Sequence, residues 1–469
     1  MQEAILNIVA KANAYLSDYI LIFLLVGVGL FYSVKTRFVQ IRCFGEGMKK
    51  VFGNLKLSGG KQEGGLSSFQ ALATAIAAQV GTGNIVGASG AILVGGPGAI
   101  FWMWIIAFLG MATIYAEAVL AQETRTVDEN GNVSGGPVYY IRKAFPGGFG
   151  KFLSAFFSVA TILALGFMGT MVQSNSIAES CNTAFGVPGW IVGLILVVVS
   201  AFIFLGGIQR IASVTEKMVP IMACLFLTGG LVILVCRIQY VPQTIGMIFK
   251  FAFTPSALIG GGLGYALKTA ISQGAKRGLF SNEAGMGSTP HAHAMANVAK
   301  PHDQGVVAMV GVFIDTFVVL TMTALVVITC LYTGNGILAG LEGDAYIAAT
   351  SGAAAVVSKT SAMQVAVGSV FGTGFGNIFV AICLLFFAFS TILGWNFFGK
   401  VNMEYLTKKS KAAIVLYSVI AIVFIFLGTI LKNDLVWELT DFFNYLMVLP
   451  NAIALFALAK LVKKNSDNK

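Results

Sequence analysis

The chemistry of this 469-residue chain begins at Val80-Gly81-Thr82-Gly83-Asn84. Two glycines one residue apart interrupt a run, Ser67 to Ala91, whose ends are rich in Ala, Leu and Ile. Each glycine weakens a helix by roughly 1 kcal/mol relative to alanine. Inside a membrane span the break frees backbone N–H and C=O groups that hydrocarbon does not satisfy. It must therefore face protein, water or a ligand. A broken helix also presents two ends of opposite partial charge, one suited to a carboxylate and the other to a cation. Thr82 and Asn84 add coordinating oxygens to the same turn. The chemistry expected here is joint binding of a zwitterion and an ion. Gly87, Gly90, Gly95 and Gly96 fit close helix packing instead.

A second interrupted stretch runs from Ile271 to Ser288 and carries Lys276, Arg277 and Glu283 in otherwise apolar surroundings. Ionisable groups within a span are costly and usually paired or functional, unless the interruption lies near one face and they reach water. Phe280, Ser281 and Asn282 are better placed to meet a ligand, as an aromatic wall and exposed backbone. Asp315, beside Thr316 in a third apolar run, reads as a proton or sodium site or as a partner for Lys268. Glu117 is equally open. His291, His293 and His302 are neighbours in sequence, but no Cys or acidic cluster completes a metal site, so loop positions are expected. The six cysteines are far apart without a CxxC pair and read as packing residues. Leu57-Ser-Gly-Gly-Lys-Gln62 is no nucleotide signature, because the chain has no GxxxxGK[ST] pattern. Gly374-Phe-Gly-Asn377 echoes GxGN only at the outer edge of a helix.

The elements that position these residues follow from composition. The chain is 57% hydrophobic and 11% charged, against about 25% charged in soluble domains, with a mean hydropathy of +0.83. This describes an all-α polytopic membrane protein embedded in a lipid bilayer. The net charge of +10 is scattered over loops rather than gathered in a stripe, which argues against nucleic acid. The N-terminus lacks a signal-peptide pattern, so its first apolar run is expected to be retained. Runs long enough to span a bilayer fall at 17–34, 67–95, 98–121, 151–182, 188–206, 213–236, 257–287, 304–332, 374–399, 411–430 and 436–462, eleven in all. Counting the flanks of spans with the adjoining loops, 22 of the 30 Lys and Arg then lie on the side of the 35–66 loop, 5 on the other side and 3 within spans. The positive-inside rule puts the 22 in the cytoplasm, with the N-terminus outside and the C-terminus inside.

Beyond the first span, ten remain, and each half of them opens with a glycine-interrupted helix entering from opposite sides. Five being odd, the halves are inverted, an arrangement that points to a secondary transporter with its site between the breaks. The expected organisation is 1–62 for the extra helix and a basic amphipathic segment, 67–236 and 257–462 for the two five-helix repeats, and 463–469 for a cytoplasmic tail. Residues 36–62 suit an interfacial helix. The outer loop 333–373 holds an Ala-rich stretch, Asp344 to Val357, suited to a lid or a passive surface helix.

Three motifs together are specific: Gly81-Thr-Gly-Asn-Ile-Val-Gly87, Gly95-Gly-Pro-Gly-Ala-Ile-Phe-Trp-Met-Trp104, and Gly278-Leu-Phe-Ser-Asn-Glu-Ala-Gly285 followed by Pro290-His-Ala-His293. With them the chain resembles the alanine or glycine:cation symporter family from about residue 15 to 460. The resemblance implies sodium-coupled uptake of small amino acids, with sodium as coupling ion and no other cofactor, on a leucine-transporter-like fold with one extra N-terminal helix. It further implies that the N–H groups of Thr82 and Gly83 receive a carboxylate. The carbonyls of Ala77 and Val80 would hold sodium together with the hydroxyls of Ser390 and Thr391, whose alternative is bonding back to their own helix. Gln79 departs from the small residue expected before the motif. Gln173, Phe167 and Trp395 would narrow the pocket beside Asn84, Phe280, Ser281 and Asn282.

The expected protein is therefore a symporter of the bacterial inner membrane taking up alanine or glycine. The alternative is the same fold coupled to protons through Asp315 or Glu283. A channel lacks a filter-like repeat here. An intramembrane enzyme lacks a Ser/His, Asp-dyad or HExxH arrangement, so the chain is not read as an enzyme. No obligate protein partner is evident.

Overall fold

The computed structural model describes residues 2–53, 66–129, 131, 133–255, 258, 263–351 and 355–467. The Leu57–Gln62 stretch, the end of the 36–62 segment and the start of the 257–287 run lie outside them. Among the described residues the regular structure is helical apart from one short antiparallel pair, Thr126–Val127 with Val133–Ser134, and an isolated parallel bridge between Leu66 and Ala296.

In chain order the helices that matter are α1 (Ala4–Lys35), α2 (Phe44–Phe52), α3 (Ser68–Gln79), α4 (Gly83–Gly95), α5 (Ala99–Thr124) and α6 (Gly148–Phe185). They continue with α7 (Gly189–Phe204), α8 (Gly207–Cys236), α9 (Leu263–Asn282) and α10 (Pro301–Leu331). The last three are α11 (Thr373–Leu406), α12 (Lys411–Gly428) and α13 (Asn433–Ala457). Eight of these are long and apolar enough to cross a bilayer, and α3 with α4 makes a ninth crossing bent by 46°. Two of the eleven expected runs do not reach that standard. Helix α7 has only 16 residues, about 24 Å at the α-helical rise. Helix α9 carries Lys268, Lys276 and Arg277.

Local sequence explains the key helix. Ser67 and Gln70 form a reciprocal capping box that starts α3, each side chain meeting the other's backbone N–H. The helix stops at Val80, whose ψ of 87° leaves helical space. Small residues then let neighbours close in. A side chain at Gly394 of α11 would lie 3.2 Å from the backbone of Ala78. One at Gly29 of α1 would meet Leu109 at 2.7 Å, and one at Gly274 of α9 would meet the Ala99 carbonyl oxygen at 2.9 Å. These contacts fix α11 and α9 against the first break and its return helix α5.

Helix α10 is not uniform. Phe313–Leu320 winds as a π-helix, which rotates the side chains along it and is over-represented at functional positions. Asp315 lies in that stretch. In the outer loop, Gly343–Thr350 is a short helix whose Tyr346 hydroxyl donates to the carbonyls of Leu93 (2.9 Å) and Ile92 (3.2 Å). This caps the C-terminal end of α4.

Candidate functional site

At the first break, the Gly81 N–H donates to Asn84 Oδ1 at 2.9 Å, and the Thr82 N–H donates to Gln173 Oε1 at 3.1 Å. The Thr82 amide, expected to meet a ligand carboxylate, is thus engaged by a neutral amide oxygen from α6. A carboxylate arriving there would have to displace that oxygen. Thr82 Oγ1 and Gln79 Oε1 are buried with no hydrogen-bond partner among the described residues. Such groups are uncommon in folded proteins and call for an explanation. The other end of the Gln79 side chain is structural. Its Nε2 donates to the carbonyl of Asn282 at 2.7 Å, tying the first break to the end of α9.

On the other side of α3, Ser390 and Thr391 converge on one backbone carbonyl. Thr391 Oγ1 lies 2.9 Å and Ser390 Oγ 3.3 Å from the Ala77 oxygen. Both also bond back to Phe387 of α11, at 3.1 and 2.9 Å. The hydroxyls therefore bond back to their own helix and at the same time face the Ala77 carbonyl of α3. A side chain at Gly81 would come within 2.3 Å of Thr391 Oγ1, so glycine is required there for space rather than for backbone angle. Val80 lies in the same buried turn.

Asp315 joins the two breaks. Its carboxylate accepts from Asn84 Nδ2 (2.6 Å), Ser281 Oγ (2.9 Å) and Thr316 Oγ1 (2.8 Å), all buried. Asn282 Nδ2 reaches Thr316 Oγ1 at 3.3 Å. Lys268 is not its partner: that lysine pairs with Asp18 of α1 at 3.0 Å. A carboxylate buried among neutral donors at the meeting of two helix ends suits a cation or a proton.

The second break is built on backbone angles. Glu283, Gly285 and Gly287 all have positive φ (58°, 94° and 77°), the region that favours glycine and strains Glu283. Glu117 of α5 accepts from the N–H groups of Gly285 (3.1 Å) and Gly287 (2.9 Å) and from Asn451 Nδ2 (2.5 Å). Asn451 also donates to the Gly285 carbonyl at 2.9 Å. Glu117 is therefore the clasp of this loop, a role its sequence position did not reveal. Glu283 accepts from the Ser288 hydroxyl and, at 2.5 Å, from Trp395 Nε1.

The aromatic wall is partly as expected. Phe280 meets Trp395 edge-on at 5.7 Å between centroids and Trp437 at 4.9 Å. A side chain at Gly169 would collide with the Trp395 ring at 2.4 Å, so α6 presents bare backbone to that ring. Phe167 is not behind these rings. It packs against Phe424 (5.0 Å) and Tyr417 (5.6 Å), in a separate cluster with Ile162 and Ala421. The π-helical turn Ile162–Gly169 carries it there. Trp437, which sequence reasoning missed, also lies under Arg277 (4.7 Å) and Lys359 (5.2 Å). Arg277, itself partly exposed, pairs with the buried Asp441 at 3.0 Å. The opposite charges of Arg277 and Asp441 in apolar runs were the available signal.

A cavity of about 520 Å³ opens on the side of the basic loops, lined by Leu66, Phe204, Met295, Asn396 and Lys400 among others. Asn396, next to Trp395 along α11, is in its lining, whereas Trp395 and Phe280 are not. The histidines correct an expectation. All three are buried: His291 Nε2 meets Asn402, His293 Nδ1 meets Gln304, and His302 Nδ1 meets the Tyr115 hydroxyl, at 2.9, 2.8 and 2.7 Å. Helical turns after the second break fold them inward, which local polarity did not foretell. Of the cysteines, Cys43, Cys330 and Cys383 are buried, whereas Cys224 and Cys236 are exposed on the helix surface.

The family profile described as the sodium:alanine symporter family matches residues 2–468. The sodium/alanine symporter AgcS of Methanococcus maripaludis is 40% identical over 97% of this chain and 95% of its own. The putative sodium/proton-dependent alanine carrier protein YrbD of Bacillus subtilis is 40% identical over 97% and 90%. The probable sodium/glutamine symporter GlnT of the same organism is 37% identical over 98% and 90%. Among solved structures, MhsT in complex with L-phenylalanine superposes with a TM-score of 0.58 at 14% identity, covering 87% of this chain and 100% of that one. A manganese transporter of Eremococcus coleocola follows at 0.54, 15% identical, covering 84% and 78%. These neighbours share the leucine-transporter fold.

Proposed function

We propose that this chain, which belongs to the sodium:alanine symporter family, brings alanine or glycine into the cell together with sodium by alternating access. Membership makes it a membrane transporter of amino acids and not an enzyme. The narrower reading rests on one observation above the others. Ser390 and Thr391 aim their hydroxyls at the Ala77 carbonyl, an all-oxygen cluster without a titratable group. That donor set suits a hard monovalent cation better than a proton. Substrate would lie at the first break, its carboxylate toward the Thr82 and Gly83 amides, its side chain toward Phe280 and Trp395.

The relatives' names include both alanine and glutamine, so pocket size must decide. A methylene is worth only about 1–3 kcal/mol by attraction. Exclusion of longer side chains therefore rests on steric overlap with the two rings. Eleven spans, with α7 and α9 added to the nine, give the inverted five-plus-five arrangement, a cytoplasmic C-terminus and a bacterial inner-membrane location. On that orientation the cavity beside Asn396 is the inward release path.

The second reading, proton coupling, is favoured by Asp315, a buried carboxylate between the breaks. Uptake by purified protein in liposomes, under separately imposed sodium and proton gradients, distinguishes them. Saturable, electrogenic alanine uptake driven by the sodium gradient alone supports the first reading. Uptake driven only by the proton gradient overturns it.

A further inference from the structure

The turn after α1 brings three metal-ligating side chains together far from the transport site. Cys43 is the N-cap of α2 and Glu46 lies in its first turn. His302 is the second residue of α10. Cys43 Sγ, a Glu46 carboxylate oxygen and a His302 ring nitrogen all lie within 4.8 Å of one another. His302 Nε2 is 3.4 Å from Glu46 Oε2, close to the spacing of about 3.4 Å that tetrahedral zinc bonds of about 2.0–2.1 Å impose on N and O ligands. The thiol is fully buried and the imidazole 1% exposed, whereas the Glu46 side chain is 35% exposed and leaves a way in.

The surroundings suit a metal. The Tyr115 hydroxyl lies 2.7 Å from His302 Nδ1. Nε2 faces Glu46; with a metal bound there, the Tyr115 oxygen would accept the Nδ1 proton, the outer-shell arrangement that metal-bound histidines use. Lys50 sits 3.0 Å from Asp303 and only 3.8 Å from Glu46 Oε1, so its stronger pairing is elsewhere.

We propose that Cys43, Glu46 and His302 form a site for a borderline-soft divalent metal, of which zinc is the type, with a fourth position open to water. One thiolate, one imidazole and one carboxylate is a donor set that favours zinc over magnesium or calcium. The site joins α2 to α10, the helix that carries Asp315. Occupancy would tether the surface segment to a helix of the transport core.

The test uses the full chain in lipid nanodiscs, stripped with a chelator and titrated with zinc against a chromophoric competitor, then with cobalt. The expected result is one equivalent of zinc and a thiolate-to-cobalt absorption band. Cys43→Ser is expected to lose the band and at least tenfold in affinity. Tyr115→Phe keeps all three ligands and is expected to weaken binding about tenfold. If Cys43→Ser fails to fold, Glu46→Gln at the half-exposed position carries the test through its loss of affinity and altered band. Absence of stoichiometric zinc binding, a band that persists in Cys43→Ser, or a Glu46→Gln protein with unchanged affinity and spectrum would each overturn the site. None of these readouts depends on transport.

Discussion

The two breaks in this fold are held in opposite ways. The first, between α3 and α4, keeps ordinary backbone angles at Gly81 and Gly83 and is closed by side chains from several helices: Gln173 of α6, Asp315 of α10 and Thr391 of α11. The second, after α9, bends through three positive-φ residues and is fastened by Glu117 of the adjacent α5. A break closed largely by neutral side chains can exchange those partners for a ligand at small cost. A break whose backbone is strained and clasped by a carboxylate is a fixed abutment. Under the proposed function, that difference would put binding at the first break and bracing at the second.

The largest test attacks the abutment. Glu117→Ala orphans the Gly285 and Gly287 amides, each a loss of about 1–3 kcal/mol when buried, and leaves Asn451 Nδ2 only its bond to the Gly285 carbonyl. We expect a large fall in thermal unfolding temperature and in yield, with Glu117→Gln intermediate, measured in detergent by intrinsic fluorescence. A Glu117→Ala protein of unchanged stability that has lost only transport would remove the distinction between the breaks.

Next in size is Asp315→Asn, which keeps the volume but removes the charge between the breaks. Hydrogen bonds to a charged acceptor contribute about 1.5–3 kcal/mol. Cation half-saturation of alanine uptake should therefore rise about ten- to hundredfold, with a much smaller change in stability than in Glu117→Ala. If half-saturation stays at the parental value, Asp315 belongs with the abutment.

How much of this was legible in the sequence differs between the breaks for a physical reason. Gly81 and Gly83 announce the first, because glycine doublets inside an apolar run violate helix propensity locally. The partners of Glu117 lie 168, 170 and 334 residues away, so no local pattern carries the clasp. The place of Phe167 near Gln173 along α6 points to the pocket. The π-helical turn at Ile162–Gly169 rotates it onto Tyr417, a register change that helical spacing does not foresee. The hydroxyl pair Ser390–Thr391 was readable because it is adjacent in one apolar helix, and its carbonyl partner followed from the family resemblance. The eleven-span count came from hydropathy, with the Lys/Arg asymmetry in its support. Charge within α9 and the short length of α7 are where the hydropathy criterion weakens.

A smaller effect is expected where the two breaks touch the same ring. Trp395 is bonded to Glu283 of the second break and faces Phe280 beside the first. Trp395→Leu should admit serine, threonine or valine as competitors of labelled alanine, with inhibition constants shifted by the equivalent of about 1–3 kcal/mol. Phe167→Leu should leave the competition profile as it is, because its ring lies in the Tyr417 and Phe424 cluster. Identical profiles in the two variants would remove Trp395 from the pocket wall.

The smallest expected effect separates space from backbone. At Gly285 an added side chain meets only Leu25 at 3.2 Å and Thr113 at 3.6 Å, both flexible side-chain atoms, but φ is +94°. Gly285→Ala should therefore cost stability through strain alone, about 1–2 kcal/mol for an L-residue held in left-handed space. Its N–H can still reach Glu117, so the loop keeps its clasp. We expect a modest drop in unfolding temperature with sodium half-saturation and alanine competition close to the parental values. Gly81 is the matched opposite: its angles suit any residue, but a side chain would lie 2.3 Å from Thr391 Oγ1 and 3.1 Å from Gln173 Oε1. Should Gly285→Ala alter sodium half-saturation as strongly as Asp315→Asn, strain at the second break is coupled to ion binding, and that loop moves with the site instead of bracing it.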